Sequence, residues 1–282
     1  MIDHQLEQLL ICPKCHGELA GREDGLDCTV CHAHYPMAGQ IPLMFAGPSN
    51  DGFGHDLYHA QLHGNIFERV FHSNRIATLL RLITHELGLP NDAQMLDIGC
   101  NTGPMLIPLR RRGYDIVGID ISIDDIQQAE RYLTQQQLPA TRLSVADGTS
   151  LPFRDQSFDA ILLVDILEHT DAPERIVAET RRLLRPGGIA IATVPWAYHP
   201  YVRYTWLRKL LSSRTTIDEH PDAPFRLNML ESLFEEGFDA RCTRLVFHWV
   251  CIMGVYRLEP SSYAGQPVEQ LLTPAQTGTQ SC

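Results

Sequence analysis

The 282-residue chain holds no apolar run approaching 18 residues, the length at which a helix becomes a candidate to span a bilayer, so no segment of it reads as a membrane span. It is also short of positive charge: 23 Lys and Arg against 34 Asp and Glu leave a net −11. Affinity for nucleic acid comes largely from cations that neutralise phosphates, and this balance argues against a generic polyanion binder. The opening residues, Met1-Ile-Asp-His-Gln-Leu-Glu7, lack the basic and apolar stretches of a secretory signal. The expectation is a cytoplasmic protein whose thiols stay reduced, so that its eight cysteines serve as metal ligands or inert core thiols rather than disulfides. Apolar material is not scarce: hydrophobic residues make up 44% of the chain, which excludes wholesale disorder. The length allows two domains, or one with an appendage.

Four of the eight cysteines fall within the first 31 residues, as Cys12-Pro-Lys-Cys15 and Cys28-Thr-Val-Cys31, two C-x-x-C units with twelve residues between them. Each unit aims two thiolates at one point, and four thiolates complete a tetrahedral site with no open position. The pattern reads as one structural zinc ion on Cys12, Cys15, Cys28 and Cys31, with His16, His32 and His34 close by as substitutes. Pro and Gly punctuate this turn-rich stretch. Residues 1–48 therefore form a zinc-ribbon domain, 49–65 a linker, and 260–282 a polar tail with little to pack.

Between linker and tail, residues 66–259, the pattern becomes a larger domain. Ile76, Leu79, Leu80 and Ile83 recur at helical spacing. After Pro90, apolar runs at 94–98, 115–119, 141–145, 158–164 and 188–194 alternate with helical segments near 104–112, 123–137 and 171–185. Such alternation predicts an α/β fold, a doubly wound and mostly parallel sheet with helices on both faces. For the helix at 171–185, Asp171 is the expected N-cap, Arg181, Arg182 and Arg185 suit its negative end, and Gly187-Gly188 its termination. An insert at about 195–225, rich in aromatics and basic over 203–214, reads as a lid whose rings stack an acceptor, as a surface drawn to phosphate or membrane, or as a packed helical hairpin with a solvated basic face. Two runs, 240–248 and 250–258, look like a closing antiparallel pair.

The chemistry concentrates at strand ends. Met95-Leu-Asp97-Ile-Gly99-Cys-Asn101-Thr-Gly103 leaves the first strand of this sheet and enters a helix. Glycines permit a tight turn and close approach of backbone to a ligand. The G-x-G-x-x-G dinucleotide fingerprint is absent, and Asp97 would repel a pyrophosphate but attract a cationic amino-acid group. S-adenosylmethionine carries such an ammonium, with a sulfonium beside it. Asp120 ends the second strand, where a carboxylate can accept both ribose hydroxyls, and Asp147, followed by Gly148, ends the third, within reach of an adenine amino group.

This constellation resembles the class I S-adenosylmethionine-dependent methyltransferases over about residues 60–258. The motifs are Leu96-Asp-Ile-Gly-Cys-Asn-Thr-Gly103, Gly118-Ile-Asp-Ile-Ser122, Ala146-Asp-Gly-Thr-Ser-Leu-Pro-Phe153, Asp165-Ile-Leu-Glu-His169 and Leu184-Arg-Pro-Gly-Gly188. Asn101 stands where that family usually has a second glycine. The resemblance implies a Rossmann-like sheet of seven strands with one antiparallel, and S-adenosylmethionine as cofactor. It places Asp97, Gly99, Asn101, Gly103, Asp120, Ile121, Asp147, Gly148 and Asp165 around that cofactor. His169, whose ordinary pKa lies near neutrality, is the candidate base, with Glu168 behind it. The N-terminal run, through Tyr35-Pro-Met-Ala-Gly-Gln-Ile-Pro-Leu-Met44, resembles the small zinc-ribbon proteins that activate RNA and protein methyltransferases as separate subunits, with Gln40 interposed between Gly39 and Ile41. A protein partner through the ribbon is thereby implied. The expected reaction is methylation of a small-molecule or biosynthetic intermediate, on oxygen. The rivals are an rRNA guanine-type methyltransferase and a zinc-dependent module that binds the cofactor without turnover.

Overall fold

The computed structural model describes residues 2–45, 66–196, 198, 225–246 and 251–259. The linker expected at 49–65, most of the insert at 195–225 and the tail at 260–282 lie outside the described residues.

At the N-terminus, α1 (His4–Leu9) is capped by Asp3, whose Oδ1 accepts the N–H groups of Gln5 and Leu6 at 3.1 Å each. Strands β1 (Leu19–Gly21), β2 (Gly25–Cys28), β3 (His34–Ala38) and β4 (Ile41–Pro42) then pair in sequence order as an antiparallel sheet. The larger unit begins with α2 (Ile66–Arg81) and a π turn at Leu82–Glu86. There follow β5 (Gln94–Ile98), α3 (Leu106–Arg110), β6 (Asp115–Asp120), α4 (Ile123–Gln135), β7 (Leu143–Val145), β8 (Phe158–Val164), α5 (Pro173–Leu183), β9 (Leu184–Pro195), α6 (Leu227–Leu233), β10 (Phe238–Val246) and β11 (Cys251–Leu258). Their seven strands form one sheet in the order β10-β11-β9-β8-β5-β6-β7. Within it β11 runs antiparallel to both neighbours and the remaining pairs are parallel. The expected α/β architecture, with its antiparallel closing hairpin, is present.

Successive side chains of a strand point to opposite faces, and the core divides accordingly. Leu96 and Ile98 of β5 pack with Ile161, Leu163 and Ile176, whereas Met95 packs with Ile76, Leu79 and Ile83 of the α2 region on the other face. Leu6, Leu10, Tyr35 and Met44 of the ribbon belong to the first of these clusters. The ribbon therefore shares a core with the sheet.

It also covers the sheet's edge. Leu43 pairs in parallel with Val145 of β7, and the Met44 N–H donates to the Val145 carbonyl at 2.8 Å. Leu10 pairs with Phe153, with Ile11 N donating to Pro152 O at 2.9 Å and Arg154 N to Leu9 O at 3.0 Å. The Ser144 and Ser150 hydroxyls donate to the carbonyls of Pro42 and Pro13 at 3.0 and 2.9 Å, and Arg154 binds the Glu18 carboxylate. An open edge strand is a template for unwanted pairing; here the ribbon occupies it.

Helix α5 departs from expectation at both ends. Its N-cap is Ala172, which has no side-chain acceptor, rather than Asp171; the Thr170 hydroxyl instead accepts the Ala172 N–H at 3.2 Å. The helix stops at Leu183, with Leu184 already extended. Gly187-Gly188 therefore sit inside β9, where a bulge separates the Phe158–Leu184 and Ala160–Ile189 pairs and Gly187 adopts φ +80°. The arginines do more than face a helix dipole. Arg182 binds Glu179 and Asp155 and donates to the carbonyls of Leu151 and Phe153 at 3.0 and 2.7 Å, and Arg185 binds Asp159.

Candidate functional site

Two groupings of the anticipated residues emerge. The sulfurs of Cys12, Cys15, Cys28 and Cys31 all lie within 4.8 Å of one another. The Cys12–Cys31 and Cys15–Cys28 separations are 3.6 and 3.4 Å; thiolates around a tetrahedral zinc, at the usual Zn–S distance, stand about 3.8 Å apart. The N–H groups of Cys31 and Val30 point at the Cys28 sulfur, at 3.4 Å each, and, led by the Cys31 bond, bring that thiol down to about 6. Tyr35 Oη lies 3.1 Å from the Cys12 sulfur. This donor set suits a cation that binds thiolates, with every position filled by protein. The neighbouring histidines serve the turns: His16 and His32 take the left-handed φ of +57° and +58° just after each knuckle, and the His34 ring binds Asp27 at 2.7 Å.

The second grouping lies along the carboxyl ends of β5, β6, β7 and β8. Gly99, Asn101 and Gly103 adopt φ values of +73°, +46° and +90°. Asparagine tolerates the left-handed region better than most residues, which explains how Asn101 can stand at a position expected to be glycine. The loop is tied to β6: Gly99 N and Cys100 N donate to the Ile119 carbonyl at 2.9 and 2.8 Å. Asp120 takes Asn101 N on Oδ2 at 2.9 Å and Ser122 N on Oδ1 at 3.0 Å, while half-buried Ile121 follows it. Asp147 folds its own turn, its Oδ1 accepting the Thr149 N–H and hydroxyl at 2.8 Å each. Gly148 is packed between Ile176 and Ile98, each 3.3 Å from where a Cβ would stand.

Asp97 is 2% exposed. Burial, and then the nearby Asp120 carboxylate, push it up to about 8; burial also raises Asp120, against its backbone hydrogen bonds. Since the folded-state value lies above the ordinary one, the protonated form is favoured in the folded protein. Asp97 therefore contributes stability at low pH that is lost as pH rises toward about 8. A bound ammonium group reverses this preference. Uptake of a cationic amino acid here is expected to release close to one proton at pH 7, seen by calorimetry in buffers of different ionisation enthalpy, and affinity is expected to rise from pH 6 to 7.5. Asp97→Asn abolishes the release; equal proton counts in both proteins would exclude Asp97 as the ammonium's partner.

After β8 the chain turns sharply. Asp165 has φ +54°, donates its N–H to the Thr193 carbonyl at 3.0 Å and accepts the Thr193 hydroxyl at 2.7 Å. Its other oxygen binds the guanidinium of Arg75, a residue of α2 that is 4% exposed. A 3₁₀ turn, Leu167–His169, follows, with Glu168 buried and His169 Nε2 3.9 Å from Glu168 Oε1. The adjoining Ile166 reaches the glycine loop: a Cβ on Gly99 would lie 2.7 Å from Ile166 Cδ1. Sequence reasoning missed Arg75 and Thr193. The signal for Arg75 was a lone cation at the helix positions that include Ile76, Leu79, Leu80 and Ile83; that for Thr193 was a hydroxyl inside an apolar run.

The sheet order is that of the Rossmann-like α/β fold found in S-adenosylmethionine-dependent methyltransferases, a class of open sheet in which ligands sit beyond the carboxyl ends of the strands. More particularly, residues 96–192 match the family described as "Methyltransferase domain". Demethylmenaquinone methyltransferase of Tropheryma whipplei (strain Twist) is 34% identical over 137 residues, 45% of this chain and 56% of that protein. Ubiquinone biosynthesis O-methyltransferase of Photorhabdus laumondii is 26% identical over 95 residues, 34% and 40% respectively. The chain thus spans about half the length of these curated relatives. Among solved structures, magnesium protoporphyrin IX methyltransferase from Synechocystis PCC 6803, determined with bound SAH, superposes with a TM-score of 0.59 at 15% identity, covering 74% of this chain and 96% of that one.

Proposed function

We propose that the protein transfers a methyl group from S-adenosylmethionine to the oxygen of a small aromatic acceptor of the hydroquinone or phenol type, and that its ribbon holds one structural zinc ion on Cys12, Cys15, Cys28 and Cys31. The observation that carries the cofactor reading is the cradle at the sheet edge: three left-handed residues at Gly99, Asn101 and Gly103, with Asp97, Asp120 and Asp147 around them. Asp97 pairs with the ammonium, Asp120 accepts the ribose hydroxyls, and Asp147 with Gly148 and Ile121 borders the adenine. Two relatives named for quinone biosynthesis, one of them an O-methyltransferase, support the acceptor class.

The cofactor, when bound, supplies an electrophilic methyl group on a sulfonium. The protein's share is to hold the acceptor in line with that methyl, which by itself accounts for much of such a rate enhancement. A phenolic hydroxyl must lose its proton as it attacks, and His169, 27% exposed at its side chain beside buried Glu168, takes it. Glu168 stabilises the resulting imidazolium.

Incubation with methyl-labelled S-adenosylmethionine and a panel of hydroquinones and phenols tests the reading. Label on oxygen is the expected result. Label on ring carbon moves the methylated atom, and label in rRNA instead of any small acceptor overturns the substrate class. His169→Ala is expected to lower turnover about a hundredfold, as loss of a general base does, with S-adenosylhomocysteine affinity unchanged. A variant of full activity removes His169 from the base's role. No helix among the described residues is long and apolar enough to cross a membrane.

A further inference from the structure

A guanidinium is among the costliest side chains to bury, yet Arg75 lies on the core face of α2, 4% exposed, ninety residues before its partner Asp165. Burial works against its charge, and the carboxylates of Glu168, close by, and of Asp165, its ion-pair partner, work the other way, with Cys251 of β11 beside it. A buried ion pair adds little net stability over apolar side chains of the same volume, so what this pair supplies is position. The link continues in both directions. Asp165 is held on its far side by the Thr193 hydroxyl and carbonyl, and in a left-handed conformation at φ +54°. The next residue, Ile166, occupies the space a side chain on Gly99 would need. Helix α2, the ends of β8 and β9, and the glycine loop are thereby joined through one carboxylate.

We propose that Arg75 is a positioning residue of the cofactor site. By binding Asp165 it holds residues 165–169, with Glu168 and His169, against the Gly99–Gly103 loop. The inference rests on the reading of that loop as the cofactor's seat. Without the cation, the Asp165 carboxylate and buried Glu168 lose the positive charge beside them, a change that favours retention of a proton on a poorly solvated carboxylate, and the turn is released from α2.

The test uses the full chain, with S-adenosylhomocysteine titrated by calorimetry between pH 6 and 8.5 and amide hydrogen exchange followed across 165–170. Arg75→Met is expected to weaken binding about tenfold, to accelerate exchange in that segment by a similar factor, and to make binding depend more steeply on pH below 7. Arg75→Lys, which keeps the charge, should recover most of the affinity. Asp165→Asn, which preserves volume and the Thr193 bond, should reproduce the loss and carries the test should Arg75→Met fail to fold. The double variant should be no worse than either single one, because both cut the same link. Strictly additive losses, or exchange and affinity unchanged in the folded variants, would overturn the proposal. If the wild-type protein binds no S-adenosylhomocysteine, the cofactor reading falls; exchange in residues 165–170 then still decides whether Arg75 holds the turn.

Discussion

Cys12→Ser is expected to strip most of the zinc from the protein, lower its thermal midpoint by about 10 °C and weaken S-adenosylhomocysteine binding about thirtyfold, or roughly 2 kcal/mol. The first effect follows from the site itself, since a structural zinc ion is folding energy for the segment that binds it. The other two follow from where the ribbon sits. The segment from Val145 to Arg154 contains Asp147 and Gly148, and it is held by Met44 at one end and by Leu9, Ile11 and Pro13 at the other. Pro13 and Ile11 flank Cys12 itself. If the first knuckle opens, the wall proposed to border the adenine loses its backing, along with the cover on β7. Elemental analysis, calorimetric scanning and ligand titration measure the three quantities. Full cofactor affinity in metal-free protein would show that ribbon and cofactor site are energetically independent.

Asp120→Ala is expected to weaken the same ligand about a hundredfold. Two ribose hydroxyls bonded to one carboxylate make charge-assisted bonds worth about 1.5–3 kcal/mol each, and part of that gain is offset by desolvating the acid. The carboxylate also takes Asn101 N and Ser122 N, so its removal loosens the glycine loop that it braces. Asp120→Asn keeps an acceptor without the charge and should lose about tenfold. Competition against labelled S-adenosylmethionine provides the measurement, with the thermal midpoint as a check on folding. Affinity within twofold of wild type in Asp120→Ala would remove the ribose assignment, and with it the main support for the cofactor reading.

Much of this molecule could be read from local pattern. The two knuckles are tight turns spanned by four residues each, so their geometry is encoded where their ligands are. The five parallel strands follow from apolar runs, because a strand buried on both faces must be apolar throughout, and β5, β6 and β8 occur where those runs do. The glycine loop was visible because left-handed backbone restricts residue choice, and Asn101, a departure by motif, obeys that restriction by conformation. Reading failed where a residue's partner decides its role. Arg182, expected to face a helix dipole, instead anchors the 151–155 segment, and the expected glycine stop became a bulge because β9 takes up pairing with β8 directly after α5.

The sequence alone thus determined the four-cysteine cluster, the order of the elements and the glycine loop at the end of β5, because each depends on residues a few positions apart. Only the tertiary structure could decide that the ribbon lies on β7, sharing the sheet's core, and that Arg75 reaches Asp165 across ninety positions. Contacts of that span leave no periodic trace in the chain; they exist because a polar group taken out of water must find a partner, and the fold determines which one it meets.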